Sequence, residues 1–150
     1  MHYPQLSVLL EVVSVIATCA VISIVIGHLS GWATLSRKFH DAATFHSYQW
    51  HFERVQLRQP LGDYHGCVKC GADQSGLYLA VSWPFRIGHP PLFVPWAEIH
   101  VISGVSGIFV KRRNLLLGQE EAVPLCLSVD LADKIKSAAG EKWPMETIDI

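Results

Sequence analysis

The stretch His65-Gly66-Cys67-Val68-Lys69-Cys70 is the first place in this chain where residue types and spacing could do chemistry. A Cys-x-x-Cys pair supplies two metal ligands, and a structural zinc needs four. His65 is the only close helper and Cys126 stands alone, so a site built on His65, Cys67 and Cys70 would lack a fourth ligand. If the stretch is a β-strand, Cys67 and Cys70 also point to opposite faces, because side chains alternate along a strand. Ordinary packing thiols are the expectation, and no metal or other cofactor is implied. The eight histidines are scattered along the chain. None forms an H-x-x-x-H or H-E-x-x-H pair, and His89 beside Pro90-Pro91 reads as a turn residue rather than a general base. No nucleophile elbow, P-loop or dinucleotide fingerprint occurs. No catalytic residues are assigned, and the chain is expected not to be an enzyme.

Charge excludes another class. Formal net charge is −1 over 150 residues, and Glu11 lies inside an apolar run. From Ser30 onward twelve Lys and Arg stand against twelve Asp and Glu. Phosphate binding needs a basic excess, so a nucleic-acid partner is not expected. The single basic run, Lys111-Arg112-Arg113, could contact anionic lipid headgroups at about 1 kcal/mol per residue. Equally, it could be a solvated turn tip or a guard on an edge strand.

The segment that must position everything else is N-terminal. Leu6 to Gly27 reads LSVLLEVVSVIATCAVISIVIG, 22 positions that would span roughly 33 Å as a helix, close to a hydrocarbon core. Thirteen residues between Leu6 and Ile26 are Leu, Ile or Val. At about −0.3 to −0.6 kcal/mol each they offset one acidic residue costing about 2.5 to 3.5 kcal/mol at the centre. A cleaved signal peptide would want a basic start and a small-x-small site, and the first ten residues hold no Lys or Arg. Thr18 likewise spoils the resemblance of Ile16-Ala17-Thr18-Cys19 to a lipoprotein site. One transmembrane helix within residues 1–29 is therefore expected. Arg37 and Lys38 follow it and nothing basic precedes it, so the N-terminus lies outside and the rest in the cytoplasm.

Ser7, Glu11, Ser14 and Thr18 are spaced four, three and four apart and fall on one helical stripe. Polar and small residues on a helix–helix seam find partners that lipid does not offer, so this stripe is expected to pack on another transmembrane helix. That helix would come from a second copy or from a larger complex. The alternative is that Glu11 snorkels to the outer interface.

Residues 30–47 carry Trp32, Leu35, Phe39 and Ala42 or Ala43 at helical spacing, ending near Ala43 or Thr44. This predicts an amphipathic juxtamembrane helix with Trp32, Arg37, Lys38 and Phe39 as an interfacial anchor. The same apolar face could instead pack on the soluble domain.

Residues 48–150 read as a mostly antiparallel β domain of about seven strands. These are Gln49–Arg58 (with a phase slip at Glu53-Arg54), Tyr64–Lys69, Leu77–Trp83, Leu92–Val94, Glu98–Ser103, Gly107–Leu117 and Ala122–Ser128. A C-terminal amphipathic helix, Val129–Ala139, follows and stops at Gly140. An odd count of three cysteines in this part argues against a disulfide framework and for reduced thiols in the cytoplasm.

The segments Gly76-Leu77-Tyr78-Leu79 and Pro91-Leu92-Phe93-Val94-Pro95-Trp96-Ala97-Glu98-Ile99 resemble the signature of bacterial pleckstrin-homology-like and GRAM-like domains. The resemblance extends over about Trp50 to Ala139. It implies a bent sandwich or barrel of about seven strands plugged by a terminal helix, and departs from the pattern at the double-proline segment Phe85–Pro91. The whole chain is similar to small bacterial single-pass inner-membrane proteins with such a cytoplasmic domain. The function expected is a non-catalytic accessory or scaffold subunit. It would join a membrane complex through its helix and a protein partner through its domain. The alternative is a membrane-tethered sensor of anionic lipid or ligand.

Overall fold

The structure is a computed structural model and describes residues 4–40, 45–47, 49–58, 60–106, 108–109 and 111–147. Helix α1, Pro4–Leu29, carries the apolar run, and a turn at Ser30-Gly31 leads into the short helix α2, Trp32–Phe39. Gly31 sits at φ 87°, where a side chain would be strained, and a Cβ there would come within 2.9 Å of Val123. This glycine lets the chain reverse against the sheet. The predicted end of the second helix, near Ala43 or Thr44, lies outside the described residues.

Seven strands follow in the expected order: β1 (Gln49–Leu57), β2 (Gly62–Ala72), β3 (Gly76–Val81), β4 (Leu92–Pro95), β5 (Ile99–Ser106), β6 (Arg112–Leu117) and β7 (Val123–Ser128). After them come helix α3, Val129–Ala139, and a two-residue strand β8, Glu146–Thr147. All eight form one curled sheet in the order β4-β3-β2-β1-β7-β6-β5-β8, antiparallel except for the β5–β8 pair. The phase slip expected at Glu53-Arg54 is real. β1 shifts register on β2 between Trp50 and Glu53 and again between Glu53 and Val55. At the second shift β2 carries two extra residues, centred on Gly66 at φ 62°. An even insertion preserves the alternation, so Tyr64, Val68, Cys70 and Ala72 all face inward.

One core unites the elements. Leu57, Leu79, Val101, Leu115 and Leu125 of the sheet meet Leu131, Ile135 and Ala139 of α3. α3 is held as its sequence predicts: Ser128 Oγ accepts a hydrogen bond from the Leu131 N–H, and the Gly140 N–H closes the end on the Lys136 carbonyl. α2 packs into the same core through Trp32, Leu35 and Phe39, with Trp32 fully buried. Thus the placement of Trp32 and Phe39 at the headgroup level is corrected in favour of the alternative, packing on the domain. Truncating a ring as buried as that of Trp32 costs about 3–5 kcal/mol, far more than an interfacial contact would hold.

α1 contrasts with all this. Apart from Ser23 and Gly27 it is not buried, and its Leu, Ile and Val side chains from Leu6 to Ile22 are half exposed or more. It is the single helix among the described residues long and apolar enough to cross a membrane.

Candidate functional site

Three residues at the C-terminal end of α1, Ser23, Gly27 and Ser30, are spaced four and three apart and build the junction with the domain. The Ser23 hydroxyl lies 2.6 Å from the Ile87 carbonyl and 3.1 Å from that of Phe85. It has one hydrogen, which the nearer carbonyl receives. Gly27 faces the turn at Gly88 so closely that a Cβ would come within 2.7 Å of the Gly88 carbonyl oxygen. Gly88, at φ 80°, returns the constraint, since its own Cβ would meet the Ile24 Cα at 2.8 Å. Two missing side chains therefore let the backbone of the 82–88 turn lie against the helix.

Behind this contact runs a buried relay. Ser30 Oγ is 2.8 Å from the Tyr64 hydroxyl, which is 2.8 Å from His89 Nε2; His89 Nδ1 is 3.2 Å from the Ile87 carbonyl. One assignment satisfies every group: Ser30 donates to Tyr64, Tyr64 donates to Nε2, and Nδ1–H donates to Ile87. That assignment makes the imidazole neutral. Burial points the same way, holding the His89 pKa below its ordinary value. The Tyr64 hydroxyl is pushed up to about 12 by its own burial. Trp32 closes the relay from the other side. Its Nε1 donates to the Pro90 carbonyl at 2.8 Å, and its ring meets those of Tyr64 and His89 at 5.6 and 5.3 Å.

An open cleft of about 310 Å3 lies between α1 and this wall, with Cys19, Ile22 and Ile26 on the helix side and Tyr64, Cys67 and His89 on the domain side. Its chemistry is that of an apolar groove. Burial raises the Cys67 thiol pKa above its ordinary value, so little thiolate forms. His89 Nδ1 is 3.4 Å from Ser23 Oγ, but the hydrogens of both groups go to the Ile87 carbonyl, so His89 is not aligned as a base for Ser23.

The residues singled out from sequence fall elsewhere. Ser7, Glu11, Ser14 and Thr18 are all exposed. The hydroxyl of Ser7 donates to the Pro4 carbonyl at 2.9 Å and that of Thr18 to Ser14 at 2.8 Å, so both are satisfied within the helix. At about 100° per residue this stripe and the Ser23-Gly27-Ser30 stripe lie on roughly opposite sides of α1. Arg37 stays exposed, while Lys38 pairs with Glu98 at 3.3 Å. In the basic run, Arg112 donates to Gln56 Oε1 and Arg113 to Glu146 Oε1, which leaves Lys111 as its exposed member. Cys67 and Cys70 do point to opposite faces: Cys70 is fully buried and Cys67 borders the cleft. His65 is exposed, 3.4 Å from Asp63. Among the described residues no group of three or more metal-binding side chains comes together.

Sequence reasoning missed Ser23, Tyr64 and His89. A signal existed, because Ser23, Gly27 and Ser30 repeat the spacing that marks the earlier stripe. It also missed two exposed apolar sites: the turn bearing Trp83, Phe85 and Ile87, and the β5–β6 tip bearing Ile108 and Phe109. Compared with protein families, with curated proteins and with solved structures, the chain finds no match.

Proposed function

We propose that this chain is a membrane-anchored, non-catalytic accessory or scaffold subunit with a pleckstrin-homology-like domain fixed to the end of its transmembrane helix. The helix spans a bacterial cytoplasmic membrane with its N-terminus outside and its domain in the cytoplasm. The observation that carries this reading is the division of α1 into two opposite stripes. Ser23, Gly27 and Ser30 hold the domain, whereas Ser7, Glu11, Ser14 and Thr18 stay bare on the other side. A helix serving only as a tether needs neither stripe. A helix that carries a rigid domain and joins another helix needs both.

Docking of the helix end also supports an anchor rather than a cleaved leader, since cleavage would remove Ser23 and Gly27 from a built interface. The pleckstrin-homology-like assignment is supported by the strand order and by α3 packed into the core. The Gly76–Leu79 motif opens β3, and Pro95-Trp96 turns the chain from β4 into β5. Trp96 secures that turn by donating from Nε1 to the Asp73 carbonyl at 2.8 Å. For the protein partner, the β5–β6 tip offers Ile108 and Phe109, 94% and 98% exposed. The register sets this tip at the far end of β6 and β7 from Val123, whose side chain lies against Gly31.

The lipid-sensor alternative loses most of its basic patch, because Arg112 and Arg113 are engaged within the domain.

The test is site-specific photocrosslinking in membranes with a photoreactive residue at position 14 or, on the opposite side, at position 16. A protein adduct at 14 and none at 16 is expected. Lipid adducts alone at both positions would remove the helix-packing role.

A further inference from the structure

The turn from Ser82 to Gly88 has a composition that a solvated turn does not need. Trp83 is 84% exposed, Phe85 55% and Ile87 45%, with Leu61 of the β1–β2 turn at 57% close to the same helix face. Between the three, Pro84 stiffens the backbone, and Arg86 is exposed among them. The turn is not loosely attached. It is pinned to α1 by the Ser23 hydroxyl, which donates to the Ile87 carbonyl with that of Phe85 3.1 Å away, and by the Gly27–Gly88 contact. Within it, the Phe85 N–H bonds the Ser82 carbonyl and the His89 N–H bonds the Arg86 carbonyl, which fixes where the side chains project.

Its height along the helix decides what it meets. The apolar run from Leu6 to Gly27 would cover roughly 33 Å as a helix, close to the thickness of a hydrocarbon core. Ser23 lies one helical turn before the end of that run, so the turn it grips is held beside the cytoplasmic end of the span. The adjoining α1 side chains Ile22, Ile24 and Val25 remain 52%, 40% and 49% exposed. Whatever covers them borders the turn as well, and its apolar surface continues that of the helix.

We propose that the Ser82–Gly88 turn is a second membrane-contacting element, an interfacial wedge that sets Trp83, Phe85 and Ile87 into the cytoplasmic leaflet beside α1. This rests on the reading of α1 as a membrane span. Trp83 takes the depth that suits an amphipathic ring, and Arg86 reaches lipid phosphates. With α1 the wedge gives the domain two points of attachment, which fixes its tilt as well as its distance from the bilayer. Bare apolar side chains beside a span are matched by lipid without any further partner.

The full-length protein in vesicles of phosphatidylethanolamine and phosphatidylglycerol provides the test. The Trp83 signal is isolated as the difference in fluorescence between the wild type and Trp83→Phe; with so exposed a ring, this substitution should leave the thermal midpoint unchanged. The wedge predicts that nitroxides at the headgroup and upper acyl chain quench this signal strongly, that nitroxides at the chain end quench it less, and that aqueous iodide hardly quenches it. Strong iodide quenching without nitroxide quenching overturns the wedge. Shielding from both quenchers also overturns it, because a protein surface, from a second copy or a partner, would then cover the turn. Alkaline carbonate extraction separates the two claims. A chain that resists extraction while Trp83 fails the quenching test keeps its span and loses the wedge; a chain that is extracted loses the span itself.

Discussion

The hydroxyl of Tyr64 lies 2.8 Å from His89 Nε2, and this contact ties the second strand to the loop that grips the end of α1. Because the same hydroxyl meets Ser30 Oγ, one phenolic oxygen joins three separate parts of the chain: the α1–α2 turn, β2 and the β3–β4 connection.

Tyr64→Phe keeps the ring against Trp32 and removes the oxygen. Ser30 and His89 then lose their partner inside a buried site, which costs about 1–3 kcal/mol. The expected result is a lower thermal midpoint in detergent with an unchanged β-sheet spectrum. An unchanged midpoint would show that the relay contributes nothing.

His89 gives the junction a pH dependence of defined sign. Its folded pKa lies below the ordinary value of 6.5, because burial disfavours the imidazolium. Stability from the neutral ring is therefore fully present above pH 6.5 and is lost as pH falls through that value toward the folded pKa. Among the described residues the ring's hydrogen-bonding and stacking neighbours are the Ser23 and Tyr64 hydroxyls, the Ile87 carbonyl and the Trp32 indole, none of them a carboxylate; Asp63 lines the same cleft. The midpoint should decline below pH 6.5 in the wild type and decline less in His89→Gln. Parallel curves for the two proteins would remove His89 as the cause.

Gly27→Val tests the close approach of helix and turn. Its Cβ would sit 2.7 Å from a backbone oxygen, so one of the two elements must move. Overpacking of this kind costs about 1–3 kcal/mol. The variant should expose residues 82–91 to a protease that leaves the wild type intact there, while α3 and its cap stay protected. Equal cleavage of the two proteins would contradict the docking.

In the basic run, Arg113→Gln is expected to act on structure rather than on lipid. Its side chain is 16% exposed and holds Glu146, which Lys136 also approaches at 3.8 Å. Hydrogen exchange should rise at β8, with a stability loss of about 1 kcal/mol or less, as for a partly exposed ion pair. Binding to anionic vesicles should stay unchanged. A fall in that binding without faster exchange at β8 would favour the lipid-sensing alternative.

How much of this was legible in the sequence differs by element. α3 matches its predicted limits because Ser128, Asp130, Lys136 and Gly140 mark both ends locally. The order of β1 to β7 follows from alternation and turn residues, and even the slip at Glu53-Arg54 left a trace in the pattern, but β6 begins at Arg112 and not at the expected Gly107. β8 did not, since two residues carry no period, and its pairing with Val101 and Ile102 joins segments more than forty residues apart. The strand expected to run from Leu77 to Trp83 ends at Val81, where the chain turns toward α1.

The junction was the least legible part. His89 reads as a turn residue when its sequence neighbours are Pro90 and Pro91. Its role depends on Ser23, 66 positions away, and Tyr64, 25 positions away. A tryptophan after a hydrophobic run likewise reads as an interfacial anchor. Trp32 instead enters the core, because Gly31 reverses the chain onto the sheet, and the exposed tryptophan at the level of the helix end is Trp83.

The docking of Ser23, Gly27 and Ser30 predicts that α1 and the domain move as one rigid body, with the domain held at a fixed angle to the helix. Spin labels carried by unnatural amino acids at position 16 on α1 and position 134 on α3, in the full-length protein in nanodiscs, measure this directly. A single narrow distance distribution is predicted, broadening in Gly27→Val. A broad distribution in the wild type would overturn the rigid junction and leave α1 as a flexible tether.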